Sequence, residues 1–128
     1  MSDIIGVGVD LCAVSRMERA CEREHFVRRV FTEGERAYLL ARGKGRAQSA
    51  AAMFAAKEAV AKALGTGFSR GVMPGQIEVT HGESGAPGVT LHGAAQARLS
   101  EIGGARAMLS LSHEGELAAA FAVIVSGN

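Results

Sequence analysis

Lys57, Glu58 and Lys62 share one Ala-rich stretch, Met53 to Gly65, and are the residues whose types and spacing best suit chemistry. The stretch reads as a helix because Ala, Leu, Met, Lys and Glu dominate it and it ends at a Gly suited to the left-handed C′ position. At about 3.6 residues per turn, Met53, Phe54, Val60, Ala61 and Leu64 form one broad apolar arc. Lys57 falls inside that arc and Glu58 on its flank. No carboxylate stands three or four residues from Lys57 on either side, so no helical ion pair meets it. An unpaired buried charge is costly, so something outside the helix is expected to meet Lys57 and Glu58. A polyphosphate with a metal ion suits both. Glu58 and Lys62 also stand i, i+4 with the acid first, which an ordinary surface ion pair explains equally well.

Three further groups carry candidate chemistry. Gly6-Val7-Gly8-Val9-Asp10 has two glycines of a dinucleotide fingerprint but neither the third nor the helix start, which argues against Rossmann-type binding. Asp10 then reads as a carboxylate at a strand end, open to a cleft, or as a plain turn residue. Ser110-Leu111-Ser112-His113 closes a strand, with Leu109, Leu111 and His113 on one parity and both Ser on the other. Arg16, Arg19 and Arg23, at i, i+3 and i+7, form one basic helix face, with Arg28 and Arg29 close behind. Val14, Met17 and Cys21 form the opposing apolar face. An Arg stripe that faces outward suits an acidic protein partner. Gly65-Thr66-Gly67 follows a helix instead of preceding one, so it reads as a C-cap that could still let a nucleotide approach the backbone.

These residues need elements to position them. Ile4–Val9 is a β-branched apolar run, expected as a strand that delivers Asp10. A helix is expected over Val14–Arg23, and Thr32-Glu33-Gly34-Glu35 is a capping box that opens another through Leu40. Arg42-Gly43-Lys44-Gly45-Arg46 reads as a basic flexible loop before the Ala-rich helix. Short strands are expected around Ile77–Thr80 and Val89–Leu91, then a helix over Gly93–Ile102. Met108–Ser112 and Ala118–Val125 read as strands joined by a turn at Glu114-Gly115-Glu116. The expectation is one α+β domain over residues 1–128, without repeat or linker.

Bulk properties bound the partners. The chain has 128 residues, enough for one core, and is 48% hydrophobic and 21% charged with a net charge of +1. Nine of its 14 basic residues lie in the first 46, against seven acids. That asymmetry is too small for general nucleic-acid binding and fits an acidic protein partner instead. No apolar run approaches the roughly 18 residues of a membrane span, and the N-terminal residues lack the basic region and apolar core expected of a signal peptide. Cys12 and Cys21 fit no metal or redox spacing, which points to a reduced, cytoplasmic protein.

Taken together, four segments resemble the holo-acyl-carrier-protein synthase family, the small bacterial type of 4′-phosphopantetheinyl transferase. They are Ile4–Leu11 with Arg16; Arg29–Thr32 with Glu35; Phe54-Ala55-Ala56-Lys57-Glu58-Ala59 through Lys62-Ala63-Leu64-Gly65-Thr66-Gly67; and Leu109–Glu114. The resemblance implies an α+β fold with an antiparallel sheet packed with helices, assembled as a homotrimer with interfacial active sites. It implies transfer of phosphopantetheine from coenzyme A to a serine of an apo acyl carrier protein, with Mg²⁺, leaving adenosine 3′,5′-bisphosphate. Under it Asp10 and Glu58 bind Mg²⁺, Lys62 holds the pyrophosphate, and Lys57 adds positive charge nearby. His113 and Ser112, from the neighbouring subunit or their own, contact the coenzyme, as do Gly65 and Thr66. Lys44 and Arg46 become candidates for the 3′-phosphate. Arg16, Arg19, Arg23 and Arg28 become the docking face for the carrier. The proton acceptor stays open between Glu58 and a metal-bound water. Members commonly carry a carboxylate where this chain has Ala13, and Arg where it has Met53. Two other readings stay open: a non-catalytic carrier-binding module and a Mg²⁺-dependent nucleotide pyrophosphate hydrolase.

Overall fold

The computed structural model describes residues 2–127. Strand β1 (Ile4–Ala13) is followed by helices α1 (Val14–Ala20), α2 (Glu24–Val30) and α3 (Glu33–Ala41). A single 3₁₀ turn at Gly43–Gly45 leads into the long helix α4 (Arg46–Ala63). Then come β2 (Ile77–His81), β3 (Pro87–Leu91), α5 (Gly93–Glu101), β4 (Gly104–Glu114) and β5 (Leu117–Ser126). The expected α+β architecture is present, as an antiparallel sheet in the order β1-β5-β4 and a separate β2-β3 hairpin.

Small side chains let α4 lie directly on the sheet. A Cβ at Gly6 or Gly8 would run into the carbonyl oxygens of Ala63 and Ala59, so only glycine fits on β1 beneath the helix. Ala118, Ala120 and Ala122 of β5 and Ala55, Ala56 and Ala59 of α4 are fully or almost fully buried. This close approach buries α4 nearly all round, where the sequence suggested one apolar arc.

Several boundaries move. β1 pairs with β5 through Ala13, so Asp10 lies within the strand, opposite Ala120, and not at its end. The helix expected to reach Arg23 stops at Ala20. A tight turn, in which Glu22 and Arg23 donate to Arg19 and Ala20, reorients the chain into α2, which the sequence reading missed. The basic loop is largely helical, with Arg46 already the first residue of α4. The Thr32 capping box forms as expected: Thr32 Oγ1 accepts from Glu35 N–H, and Glu35 accepts from Thr32 N–H.

The sheet face away from α4 is left bare. Val7, Val9 and Leu11 of β1, Phe121 of β5 and Met108 of β4 are between 45% and 59% exposed there. Among the described residues, no helix is long and apolar enough to cross a membrane.

Candidate active site

Asp10 points from β1 to the α4 side of the sheet, where Lys62, on the last turn of α4, donates to its Oδ1 at 2.8 Å and to the Val9 carbonyl at 3.1 Å. The Asp10 side chain is 15% exposed and that of Lys62 54%, so the pair opens to solvent on the lysine side. One turn earlier on α4, Glu58 lies beside Asp10. Burial, a hydrogen bond to Asp10 and the repulsion of its charge push Glu58 up to about 7, against the pull of Arg16 and Lys62. Lys62 is raised by its hydrogen bond to Asp10 and by the charges of Asp10 and Glu58. The i, i+4 spacing therefore does not make a simple Glu58–Lys62 pair: the lysine reaches across to β1.

Two carboxyls forced together this way share a proton or a cation. No trio of His, Cys, Asp and Glu placed to chelate a metal occurs among the described residues. A hard cation that takes one or two carboxylates, water and phosphate oxygens fits such a pair, and Mg²⁺ is of that kind.

Lys57 is a structural cation and not the phosphate-facing charge expected from the sequence. It is completely buried, and its ammonium donates to Glu35 Oε1 at 2.8 Å, Ile77 O at 2.6 Å and Pro74 O at 3.0 Å. An ammonium has three protons, so none is left for a phosphate. Where the sequence suggested a polyphosphate, the partner is Glu35, supplied by α3, whose other oxygen accepts from Val79 N–H. Burial lowers Lys57 from its ordinary value, and the charge of Glu35 and their hydrogen bond oppose it.

Arg16 links the carboxyl pair to the basic face. Arg16, Arg19 and Arg23 line a groove of about 340 Å³ floored by Phe26, Phe54, Met17 and Ala20. The Phe26 and Phe54 rings lie 6.2 Å apart, with the Arg23 guanidinium 5.7 Å from the first and that of Arg16 5.8 Å from the second. The arginines were legible from their spacing and the aromatic floor was not, because Phe26 sits on the unexpected helix α2. Arg28 lies outside the groove, paired with Glu24 at 2.9 Å.

The remaining candidates are dispersed. Lys44 and Arg46 line a second groove together with Glu18, Cys21 and Glu22. Ser112 and His113, exposed at the end of β4, line a third cavity with Tyr38, Arg42 and His81. Gly65 has φ +82°, and the amides of Gly65, Thr66 and Gly67 cap α4 by donating to Lys62 O and Ala61 O. The C-cap reading thus holds for this loop. Leu111 shares a register level with Asp10 but two strands away, about 10 Å at ordinary strand spacing. No hydrogen bond or ion pair joins His113 to Asp10, Glu58 or Lys62.

Residues 6–122 match the profile of the 4′-phosphopantetheinyl transferase superfamily. The chain belongs to that superfamily. It is 48% identical over 128 residues to the holo-[acyl-carrier-protein] synthase of Halorhodospira halophila, covering 97% of this chain and 99% of that one. The holo-[acyl-carrier-protein] synthase of Methylobacterium sp. is 52% identical over 127 residues, covering 94% and 93%. A crystal structure of the Bacillus anthracis holo-(acyl-carrier-protein) synthase in complex with CoA (3′,5′-ADP) superposes with a TM-score of 0.81, at 32% identity and 97% and 98% coverage. Among phosphopantetheinyl transferases the chain is thus an enzyme of the holo-[acyl-carrier-protein] synthase type.

Proposed function

We propose that this synthase moves 4′-phosphopantetheine from coenzyme A to a serine hydroxyl of an apo acyl carrier protein, with Mg²⁺ at Asp10 and Glu58, and that it acts as a cytoplasmic homotrimer. The observation that carries the reading is the Asp10–Glu58 carboxyl pair with Lys62 on one side and the Arg-walled groove on the other. When bound, Mg²⁺ supplies positive charge to the pyrophosphate oxygens. The serine oxygen forms a new bond to the phosphorus that bears pantetheine. The anhydride bond to adenosine 3′,5′-bisphosphate breaks, and the bisphosphate leaves. Lys62, exposed and already turned toward Asp10, suits a pyrophosphate oxygen, where its charge meets the negative charge that builds up during transfer. Glu58 is also a carboxyl beside Asp10 and Lys62, which suits it to taking up the hydroxyl proton.

The groove supports the choice of acceptor. Three guanidiniums around two phenyl rings suit an acidic helix with an apolar side chain to bury, and Arg16 sits close enough to act on Glu58. The trimer rests on the bare sheet face: Val7, Val9, Leu11, Met108 and Phe121 form an apolar surface that a monomer would leave in water. A neighbour packed there could bring His113 and Ser112, which stand away from Asp10 in their own chain, to the coenzyme. Free Cys12 and Cys21 suit a reducing compartment.

Intact-protein mass spectrometry of an apo acyl carrier protein with this chain, coenzyme A and Mg²⁺ tests the proposal. The expected result is a gain of one phosphopantetheine, abolished by EDTA. An unmodified carrier accompanied by free adenosine 3′,5′-bisphosphate would instead mean a hydrolase.

A further inference from the structure

The cavity at the end of β4 holds about 250 Å³ and no carboxylate lines it. Its donors include Tyr38, Arg42, Ser49, Ser112 and His113, and its apolar walls include Met53 and Pro87. The groove around Lys44 and Arg46 differs in kind, because Glu18 and Glu22 share it and would repel an anion. Arg42 is held ready. Its Nε donates to Ser49 Oγ at 3.2 Å, and its guanidinium lies over the Tyr38 ring at 5.7 Å. Tyr38 is itself stacked on His81, with centroids 4.0 Å apart and planes 1° apart. Among the described residues the two terminal guanidinium nitrogens have no hydrogen-bond partner, and they form a fork suited to a phosphate monoester. Met53, one turn after Ser49 on α4, lines the same cavity and brings no charge. Burial and the neighbouring Arg42 push His81 down, against the pull of Glu35.

We propose that Arg42, and neither Lys44 nor Arg46, reads the 3′-phosphate of coenzyme A in this cavity and makes the enzyme prefer coenzyme A to its 3′-dephospho form. The assignment rests on the transferase reading for its choice of ligand. The adenosine lies against Met53 and Pro87, with Ser112 and His113 at the mouth.

Calorimetric titration of the wild-type protein with adenosine 3′,5′-bisphosphate and with adenosine 5′-monophosphate tests it without turnover. A charge-assisted fork predicts that the bisphosphate binds about 10- to 100-fold tighter. Arg42→Met should erase that preference and leave monophosphate affinity unchanged, whereas Arg42→Lys should keep part of it. The Lys44→Met/Arg46→Met double variant should retain the ratio. No preference in the wild type, a preference that survives Arg42→Met, or one lost in the Lys44/Arg46 variant would each overturn the assignment. Arg42 is exposed, and circular dichroism of each variant verifies folding. The same preparations are assayed for transfer to an apo carrier. A wild type that prefers the bisphosphate but transfers nothing keeps Arg42 and removes the transferase reading.

Discussion

Glu58 and Lys57 are adjacent in sequence and opposite in role. Glu58 keeps a half-buried carboxyl against Asp10, a poor arrangement for a lone protein and a good one for a cation. Its consequence for stability has a definite sign. The folded group titrates at about 7, above its ordinary 4.5, so the folded state holds the extra proton between these values. In EDTA, the melting temperature should therefore fall as pH rises from about 4.5 through 7. Solvent screening at a half-exposed group limits the fall to a few degrees. Glu58→Gln should flatten that slope, measured by thermal melts across the range, and should abolish carrier modification while the fold persists. A fully active Glu58→Gln enzyme would remove the carboxyl from both metal binding and proton transfer.

The elements matter because they bring distant residues to the carboxyl pair. Lys57 ties α4 to α3 through Glu35 and to the start of β2 through Ile77 O, at the residue just before Glu58. Lys57→Met leaves the Glu35 charge buried without its partner and should destabilise the protein by about 3–5 kcal/mol in urea unfolding. Adding Glu35→Gln should recover part of that loss. This hub marks the limit of what could be read from the chain. The lone lysine on an apolar helix face announced a partner outside the helix, read as a polyphosphate, and Glu35 was visible too, but as a capping residue. Nothing local links positions 35 and 57, because the contact exists only once α3 packs on α4. Asp10, Glu58 and Lys62 were legible because glycine-flanked and helical spacings are local. The groove floor was not, since Phe26 needed α2, and α2 needed a turn that the Arg16–Arg23 periodicity concealed. With that floor in place, Arg16→Glu should raise KM for the carrier far more than KM for coenzyme A in steady-state assays. Equal effects on both would mean that Arg16 serves the carboxyl pair and not docking.

For the whole molecule, the residues proposed for the site lie on two different edges of one sheet. Asp10 is on edge strand β1 and His113 on edge strand β4, with β5 between them and α4 over that face. The opposite face is apolar and uncovered, and the proposed assembly through it would cover that surface and bring His113 to a neighbour's Asp10. Phe121→Asp should then yield a monomer by light scattering, with loss of transfer. A sharper experiment separates a divided site from a merely oligomeric one. Glu58→Gln and His113→Ala subunits, each inactive alone, are mixed by co-expression. If His113 acts across the interface, a site regains both groups whenever a His113→Ala subunit supplies Glu58 and a Glu58→Gln neighbour supplies His113. Random mixing at equal amounts makes that about one site in four, so activity should return to about a quarter of wild type. If His113 serves its own chain, every site in every mixed assembly lacks one group, and activity stays at the level of the separate variants.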